Sequence, residues 1–272
     1  MSLVCISTAL AAESRPFIDA LNLRHVHTRG IRLYAGDGFL LLQTGLGKLQ
    51  AASAMAALLH SRPDVGAVLN AGVCGSAAEI GSVHLAHEVV DVATGRRWFP
   101  HLPPQRHAGQ LPSCAVHTCD NVDISYRDGV LFDMEAAGIA MAASTYLSSD
   151  AIQYVKVVSD NSSATLAAFE PARASELMSA CLPAVMTLCD WFRQNHLADD
   201  SARIIESCSR DILGKVRHSV SDTRQLQRLL QRHLSLAGRA PDISTLQRLG
   251  SARQVRARLQ QAVQAITLRY EP

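Results

Sequence analysis

The fold is decided by one stretch, Gly66-Ala67-Val68-Leu69-Asn70-Ala71, which runs directly into Gly72-Val73-Cys74-Gly75. Residues 66–71 form a short apolar run bounded by turn residues, and this pattern is typical of a parallel strand buried on both faces. A strand of this kind needs helices on both sides of its sheet. The stretch therefore predicts an α/β domain.

Strand and helix patterns alternate on either side of this stretch. A turn at Ala35-Gly36-Asp37-Gly38 predicts a hairpin. The predicted strands cover residues 3–8, 31–34, 39–44, 66–71, 83–92, 115–117, 130–132 and 152–158. The predicted helices cover residues 13–21, 48–60, 134–146 and 171–195. This order predicts a three-layer α/β/α domain with a mixed, mainly parallel sheet.

The last quarter of the chain differs from the rest in charge and pattern. Residues 1–200 contain 13 Lys and Arg against 19 Asp and Glu, whereas residues 201–272 contain 13 against 5. Three tail segments, 201–218, 221–236 and 244–269, have apolar residues three or four positions apart, which favours helices. We therefore predict two units, a domain at residues 1–197 and a small basic helical appendage at residues 198–272.

Composition limits the class of protein. Apolar residues make up 48% of the chain, enough for a substantial core. The seven cysteines are odd in number and include no Cys-x-x-Cys motif, which indicates a reducing compartment rather than disulfides or structural zinc. No apolar stretch approaches the roughly 20 residues needed to span a bilayer. The expected location is the cytoplasm.

Three acidic residues follow predicted strands or open predicted helices. They are Glu13, Glu135 and Asp160. Residues far apart in sequence converge at one rim of a parallel sheet, so these carboxyl groups are expected to surround one site. Such a set suits a reaction with a cationic transition state, because one carboxyl group can donate a proton, another can hold sugar hydroxyls and the third can activate water.

Six short segments then occur in a fixed order between residues 3 and 195. They are Ala9-Leu10-Ala11-Ala12-Glu13; Thr44-Gly45-Leu46-Gly47-Lys48; Asn70-Ala71-Gly72-Val73-Cys74-Gly75 followed by Ile80-Gly81-Ser82-Val83; Gly109-Gln110-Leu111-Pro112; Met134-Glu135-Ala136; and Val158-Ser159-Asp160. In this order they resemble the 5′-methylthioadenosine/S-adenosylhomocysteine nucleosidases and their relatives in the purine nucleoside phosphorylase superfamily. The resemblance implies hydrolysis of the N-glycosidic bond of a purine nucleoside, without a metal or an organic cofactor.

The resemblance also implies roles for individual residues. Asp160 would protonate N7 of the departing purine, Glu135 would hydrogen-bond the ribose hydroxyls, and Glu13 would orient and deprotonate the attacking water. The implied substrate-binding residues are Met134, which packs on the sugar, together with Gly75, Val73, Ala9, Val158, Ser159 and Pro112. Val122 stands where the nucleosidases bring an aromatic side chain onto the base, and the candidates to replace that side chain are Trp98, Phe99 and Tyr126.

Water is favoured over phosphate as the nucleophile. Phosphorolytic relatives have a Gly-rich loop with an Arg after the first strand, whereas this chain has Ala9-Leu10-Ala11-Ala12-Glu13, and a carboxylate would repel the phosphate dianion. The nearby Arg15 keeps a phosphorylase open as an alternative. A second alternative is a degenerate nucleoside-binding protein that signals through its basic tail.

Two kinds of partner are expected besides the nucleoside. Relatives complete each site with a loop from a neighbouring subunit, so the resemblance implies a homodimer, with residues 97–112 as the candidate loop. In the tail, Arg224, Arg228 and Arg232 share one helix face. This face is either a solvated surface or a site for an acidic protein or a nucleic acid.

Overall fold

The structure is a computed structural model that describes residues 3–103, 111–164, 171–194, 201–214, 216–237 and 239–267. It divides into two compact units, Met1–Ala198 and Asp199–Pro272. None of the described helices is both long enough and apolar enough to cross a membrane.

The first unit contains one sheet and four α-helices among its described residues. The strands are β1 (Leu3–Thr8), β2 (Arg24–Val26), β3 (Arg32–Gly36), β4 (Phe39–Gln43), β5 (Val65–Ser76), β6 (Val83–Asp91), β7 (Arg97–Trp98), β8 (Ser113–Thr118), β9 (Val130–Asp133) and β10 (Ile152–Asp160). The helices are α1 (Ala11–Ala20), α2 (Lys48–Ser61), α3 (Ala136–Ala143) and α4 (Pro171–Phe192), and a short 3₁₀ helix covers Ser149–Ala151.

The long strand β5 organises the sheet. It pairs in parallel with β1 on one side and with β10 on the other, and its last residues pair antiparallel with β9. From β9 the pairing continues through β8 and β6 back to β10, so this half of the sheet closes into a ring. The other half extends outward from β1 through β4 and β3 to β2.

Helices cover both faces of the sheet. Alternate residues of β1 point to opposite faces: Cys5 packs in the cluster that contains α2 and α3, and Val4 packs in the cluster that contains α1 and α4. Helices α2 and α3 lie so close that a Cβ atom at Gly138 would clash with the backbone carbonyl of Lys48. The predicted three-layer α/β fold with a mixed sheet and a helical C-terminal region is confirmed.

The sequence placed several element boundaries wrongly. Strand β5 continues to Ser76 instead of ending at Ala71, because its neighbours keep pairing with the glycine-containing segment that looked like a turn. Helix α3 begins at Ala136 and ends at Ala143, so it is shorter than the predicted helix over 134–146. The short strands β2 and β7 were missed, because two or three mostly exposed residues carry little hydrophobic pattern.

The second unit is helical. Its helices are α5 (Ser201–Leu213), α6 (Val220–Ala237), α7 (Ile243–Gln247) and α8 (Ala252–Thr267). They enclose a core of their own, made of Ile205, Cys208, Ile212, Leu213, Leu226, Leu230, Leu246, Ala252, Val255 and Leu259. The predicted segment 244–269 is two helices rather than one, with Gly250 in the break between them.

Candidate active site

A cavity of about 340 Å³ opens at the carboxyl ends of β1, β5 and β10. Ligands of α/β sheets bind at this kind of edge, because the loops that follow parallel strands diverge there. The cavity is lined by Ala9, Leu10, Glu13, Leu46, Val73, Cys74, Gly75, Asn121, Val122, Asp123, Phe132, Asp133, Met134, Glu135, Ser159 and Asp160. The structure therefore brings Glu13, Glu135 and Asp160 to one cavity.

Glu13 lies in the first turn of α1 and is fixed there by backbone donors. Its Oε2 atom accepts hydrogen bonds from the backbone N–H groups of Ala9 at 2.8 Å and Leu10 at 2.9 Å. Its Oε1 atom accepts a third from the N–H of Val73 in β5 at 3.0 Å. The carboxylate thus joins the turn after β1 to the neighbouring strand, and Oε1 keeps lone-pair capacity for one further donor.

Glu135 precedes α3 and accepts a hydrogen bond on Oε1 from the N–H of Gly47 at 2.7 Å. Gly47 directly precedes α2 and has φ +88°, a backbone conformation that glycine adopts without strain. Burial, together with the negative charge of Asp133, raises the pKa of Glu135 to about 7. This carboxyl group therefore changes its charge near neutral pH.

Asp160 ends β10, and hydroxyl donors occupy both of its carboxyl oxygens. The Ser159 hydroxyl donates to Oδ1 at 2.6 Å, and the Tyr126 hydroxyl donates to Oδ2 at 2.9 Å. Asp160 also lies against the backbone of Gly75, where a Cβ atom would be only 3.0 Å from Oδ2. The glycine in β5 thus leaves room for this side chain.

A buried ion pair between Asp133 and Lys156 lies beside the cavity, and the sequence interpretation missed it. Their side chains are 0% and 2% exposed, and the Lys156 Nζ and Asp133 Oδ2 atoms are 2.8 Å apart. Asp133 also accepts hydrogen bonds from the Thr118 hydroxyl and the Ala136 N–H. The signal was a lysine within the apolar strand 152–158, because a buried ammonium group needs an acidic partner.

Lys156 keeps its positive charge in this environment. Burial lowers its pKa, but the negative charge of Asp133, followed by those of Glu135 and Glu13, outweighs that effect and leaves the pKa raised. The ammonium group lies behind the lining, 3.5 Å from the position that a Cβ atom would take at Gly72. Its positive charge partly offsets the negative charge of the acidic residues that line the cavity.

The other predicted contacts divide into two groups. Ala9, Val73, Gly75, Met134 and Ser159 line the cavity. Two do not: Pro112 is exposed, with its carbonyl bound to the Leu85 N–H, and Val158 is buried and bonded through its backbone to Gly81 and Ser82.

Val122, which stands in place of the aromatic side chain expected at the base, lines the cavity. Of the three candidates to replace that aromatic side chain, Trp98, Phe99 and Tyr126, none lines the cavity, but the Tyr126 hydroxyl donates to Asp160, which does. The candidate loop 97–112 includes residues 104–110, which lie outside the described part of the chain. Leu46, Asn121 and Asp123 line the cavity without having been predicted to do so.

Negative charge dominates the cavity. Five acidic residues line it, and the described lining contains no Lys or Arg. Arg15 is turned to solvent, where its side chain is 70% exposed and pairs with Asp19 at 2.7 Å. Within the described ranges, no group of three or more His, Cys, Asp or Glu residues is arranged to hold a metal ion. The arrangement is suited to stabilising a cation and unsuited to binding a phosphate dianion.

Comparisons with solved structures show the fold. An MTAN mutant from Helicobacter pylori, with 5′-methylthioadenosine in the active site, is 14% identical and has a TM-score of 0.59, over 70% of this chain and 99% of that one. The 5′-methylthioadenosine/S-adenosylhomocysteine nucleosidase from Neisseria meningitidis, in complex with methylthio-immucillin-A, is 19% identical with a TM-score of 0.57, over 69% of this chain and 100% of that one.

A futalosine hydrolase mutant from Helicobacter pylori has the same fold. It is 14% identical with a TM-score of 0.56, over 70% of this chain and 99% of that one. No protein-family model and no curated protein sequence matches this chain. The chain therefore has the fold of these two nucleosidases and this hydrolase, which is the fold that the resemblance implied.

Proposed function

We propose that this chain hydrolyses the N-glycosidic bond of a purine nucleoside through an oxocarbenium-like transition state. The observation that carries the proposal is the cavity with five acidic residues and no Lys or Arg in its described lining. As the bond to the base breaks, positive charge develops on the sugar, and preorganised carboxylates stabilise that charge by several kcal/mol (about 3 per well-placed group). A phosphate nucleophile would meet repulsion in the same place.

The geometry supports a division of roles. Asp160, in its protonated form, delivers its proton to the ring nitrogen of the base, which leaves with the electron pair of the broken bond. Glu135 accepts hydrogen bonds from the ribose hydroxyls. Glu13, held by three backbone N–H groups, receives a proton as the oxygen of water bonds to the sugar carbon.

The substrate class follows from the lining and from the fold. Leu10, Leu46, Val73, Val122 and Met134 provide apolar surface for a flat base and for the apolar part of a 5′ substituent. The similar structures are nucleosidases of methylthioadenosine and S-adenosylhomocysteine and a futalosine hydrolase. We propose that the substrate is methylthioadenosine, S-adenosylhomocysteine, 5′-deoxyadenosine or a futalosine-like compound.

The experiment that tests the function is a substrate panel. The protein is incubated with each of these four nucleosides and with inosine, with and without phosphate, and the released base is quantified by chromatography. We expect release from at least one nucleoside at a rate that phosphate does not change. Release only in the presence of phosphate would show a phosphorylase, and binding without release would favour the nucleoside-binding alternative.

The pH dependence of kcat/KM is expected to report the ionisation of Glu135. Its pKa is raised to about 7, so its carboxyl group is protonated below that pH and loses acceptor capacity for the ribose hydroxyls. We therefore expect kcat/KM to fall as the pH decreases through 7, by about tenfold for each further unit. In Glu135→Gln the rate should be low throughout and this acidic limb should vanish. A limb that survives the substitution would assign the titration to another group.

The homodimer and the partner of the tail remain predictions. Leu46, Leu49, Val122 and Ile124 are large apolar residues at least half exposed at or near the cavity, and a second copy of the chain would cover them. In the tail, Arg224, Arg228 and Arg232 are exposed on α6, which supports an acidic protein or nucleic-acid partner.

A further inference from the structure

Tyr126 has an unusual backbone conformation next to the cavity. It belongs to the irregular segment between β8 and β9, whose residues Asn121, Val122 and Asp123 line the cavity. Its φ angle is +42°, in the left-handed region that bulky side chains rarely occupy. Such a conformation costs free energy and persists only where contacts hold it, often at ligand clamps and switches.

Contacts with Asp160 and Gly75 help to hold Tyr126 in this position. Its hydroxyl donates to Asp160 Oδ2 at 2.9 Å. Its ring lies over Gly75, with Cε1 only 3.3 Å from the position that a Cβ atom would take there. The tyrosine is thus anchored at its tip by the carboxyl group that we assign as the proton donor, and the absence of a side chain at Gly75 makes room for its ring.

The Tyr126 hydroxyl and the base of a substrate compete for the same carboxyl group, that of Asp160. The hydroxyl of Ser159, the preceding residue in β10, donates to Oδ1 of Asp160, and the hydroxyl of Tyr126, from the irregular segment, donates to Oδ2. A base nitrogen that takes a proton from Asp160 must come within hydrogen-bond distance of one of these oxygens. Oδ2 is the oxygen beside Gly75, which lines the cavity, and in this structure the phenol hydroxyl occupies it.

We propose that Tyr126 is a displaceable gate, whose hydroxyl occupies the Asp160 oxygen that the base of the nucleoside takes over on binding. This inference rests on the proposed function and assigns how the same site selects its ligand. A base with a suitably placed ring nitrogen restores a hydrogen bond at Oδ2, either as an N–H that donates to the carboxylate or as a bare nitrogen that accepts from the carboxylic acid. A ligand without that nitrogen leaves a buried carboxyl oxygen unpaired and binds poorly.

The test is the binding of adenine to the wild-type protein and to Tyr126→Phe, measured by isothermal titration calorimetry. The substitution keeps the ring and removes only the hydroxyl that anchors it to Asp160. Adenine no longer has to break that bond, so we expect its Kd to fall by about tenfold, the scale of one hydrogen bond to a charged group. The matched control is Tyr146→Phe, since Tyr146 is 45% exposed and does not line the cavity; its Kd should equal the wild-type value.

Binding and turnover together separate this inference from the proposed function. Wild-type hydrolysis with equal or weaker adenine binding by Tyr126→Phe would overturn the gate alone. Tighter binding by Tyr126→Phe in a protein that hydrolyses no nucleoside would support the gate and overturn the proposed function. If neither the wild-type protein nor Tyr126→Phe bound adenine, the gate would be overturned as well. A thermal melt of Tyr126→Phe that matches the wild type would exclude misfolding as the cause of any difference.

Discussion

Replacing Asp160 with Asn is expected to lower kcat for nucleoside hydrolysis by about 1,000-fold, within the range that general acid catalysis contributes. The amide has nearly the same shape and still accepts the Ser159 hydroxyl on its oxygen, so the protein should fold as before. It cannot deliver an acidic proton to the leaving base. The measurement is single-turnover release of the base, compared with binding of the unreacted nucleoside.

The control for this prediction is Asp123→Asn. Asp123 also lines the cavity, but hydrogen bonds from the Ser125 side chain and then from the Ser125 N–H lower the pKa of its carboxyl group, and we assign it no step in the reaction. We expect Asp123→Asn to change kcat by less than about tenfold, since no proton passes through it. If Asp160→Asn released base at the wild-type rate, Asp160 would have no part in the chemistry.

Replacing Lys156 with Met is expected to destabilise the first unit by about 3–5 kcal/mol, the cost of leaving one partner of a buried ion pair without its countercharge. Asp133 is completely buried, and its other hydrogen bonds come from neutral groups. The free energy of unfolding can be measured by denaturant titration, with Arg15→Met as the matched control. The Arg15–Asp19 pair is exposed, so its loss should cost less than about 1 kcal/mol.

The double variant Lys156→Met/Asp133→Asn makes this prediction sharper. It removes both charges and leaves a neutral amide near the Thr118 hydroxyl and the Ala136 N–H. We expect it to be more stable than Lys156→Met alone, because no uncompensated charge remains buried. If Lys156→Met alone were as stable as the wild-type protein, Asp133 and Lys156 would not form a buried ion pair that contributes to stability.

The sequence predicted the parts of the site that follow from strand order. Glu13, Glu135 and Asp160 lie just after or at the ends of elements, and parallel strands bring such ends to one rim. The layer structure was predictable for the same reason, because the apolar runs of β1, β5 and β10 are buried on both faces.

The remaining parts depend on tertiary contacts that no local pattern encodes. Lys156 is visible in the sequence as a charge in an apolar strand, but its partner could have been any of several acidic residues. Tyr126 is one aromatic residue in an irregular segment, and its position depends on the empty space above Gly75. The true end of β5 likewise depends on pairing with β9 and β10, which the glycines at 72 and 75 concealed.

The three backbone hydrogen bonds of Glu13 have a consequence for the evolution of this fold. A residue that we propose to receive a proton, and that also ties a turn to a strand, would be under selection for folding as well as for chemistry. Each lost bond would leave a buried or partly buried N–H group unsatisfied, at a cost of up to about 1–3 kcal/mol. A descendant that abandoned catalysis would be free to change Asp160 long before it could change Glu13. In related chains, retention of an acidic residue at this position is therefore a poor marker of activity, and the residue that ends β10 is the better one.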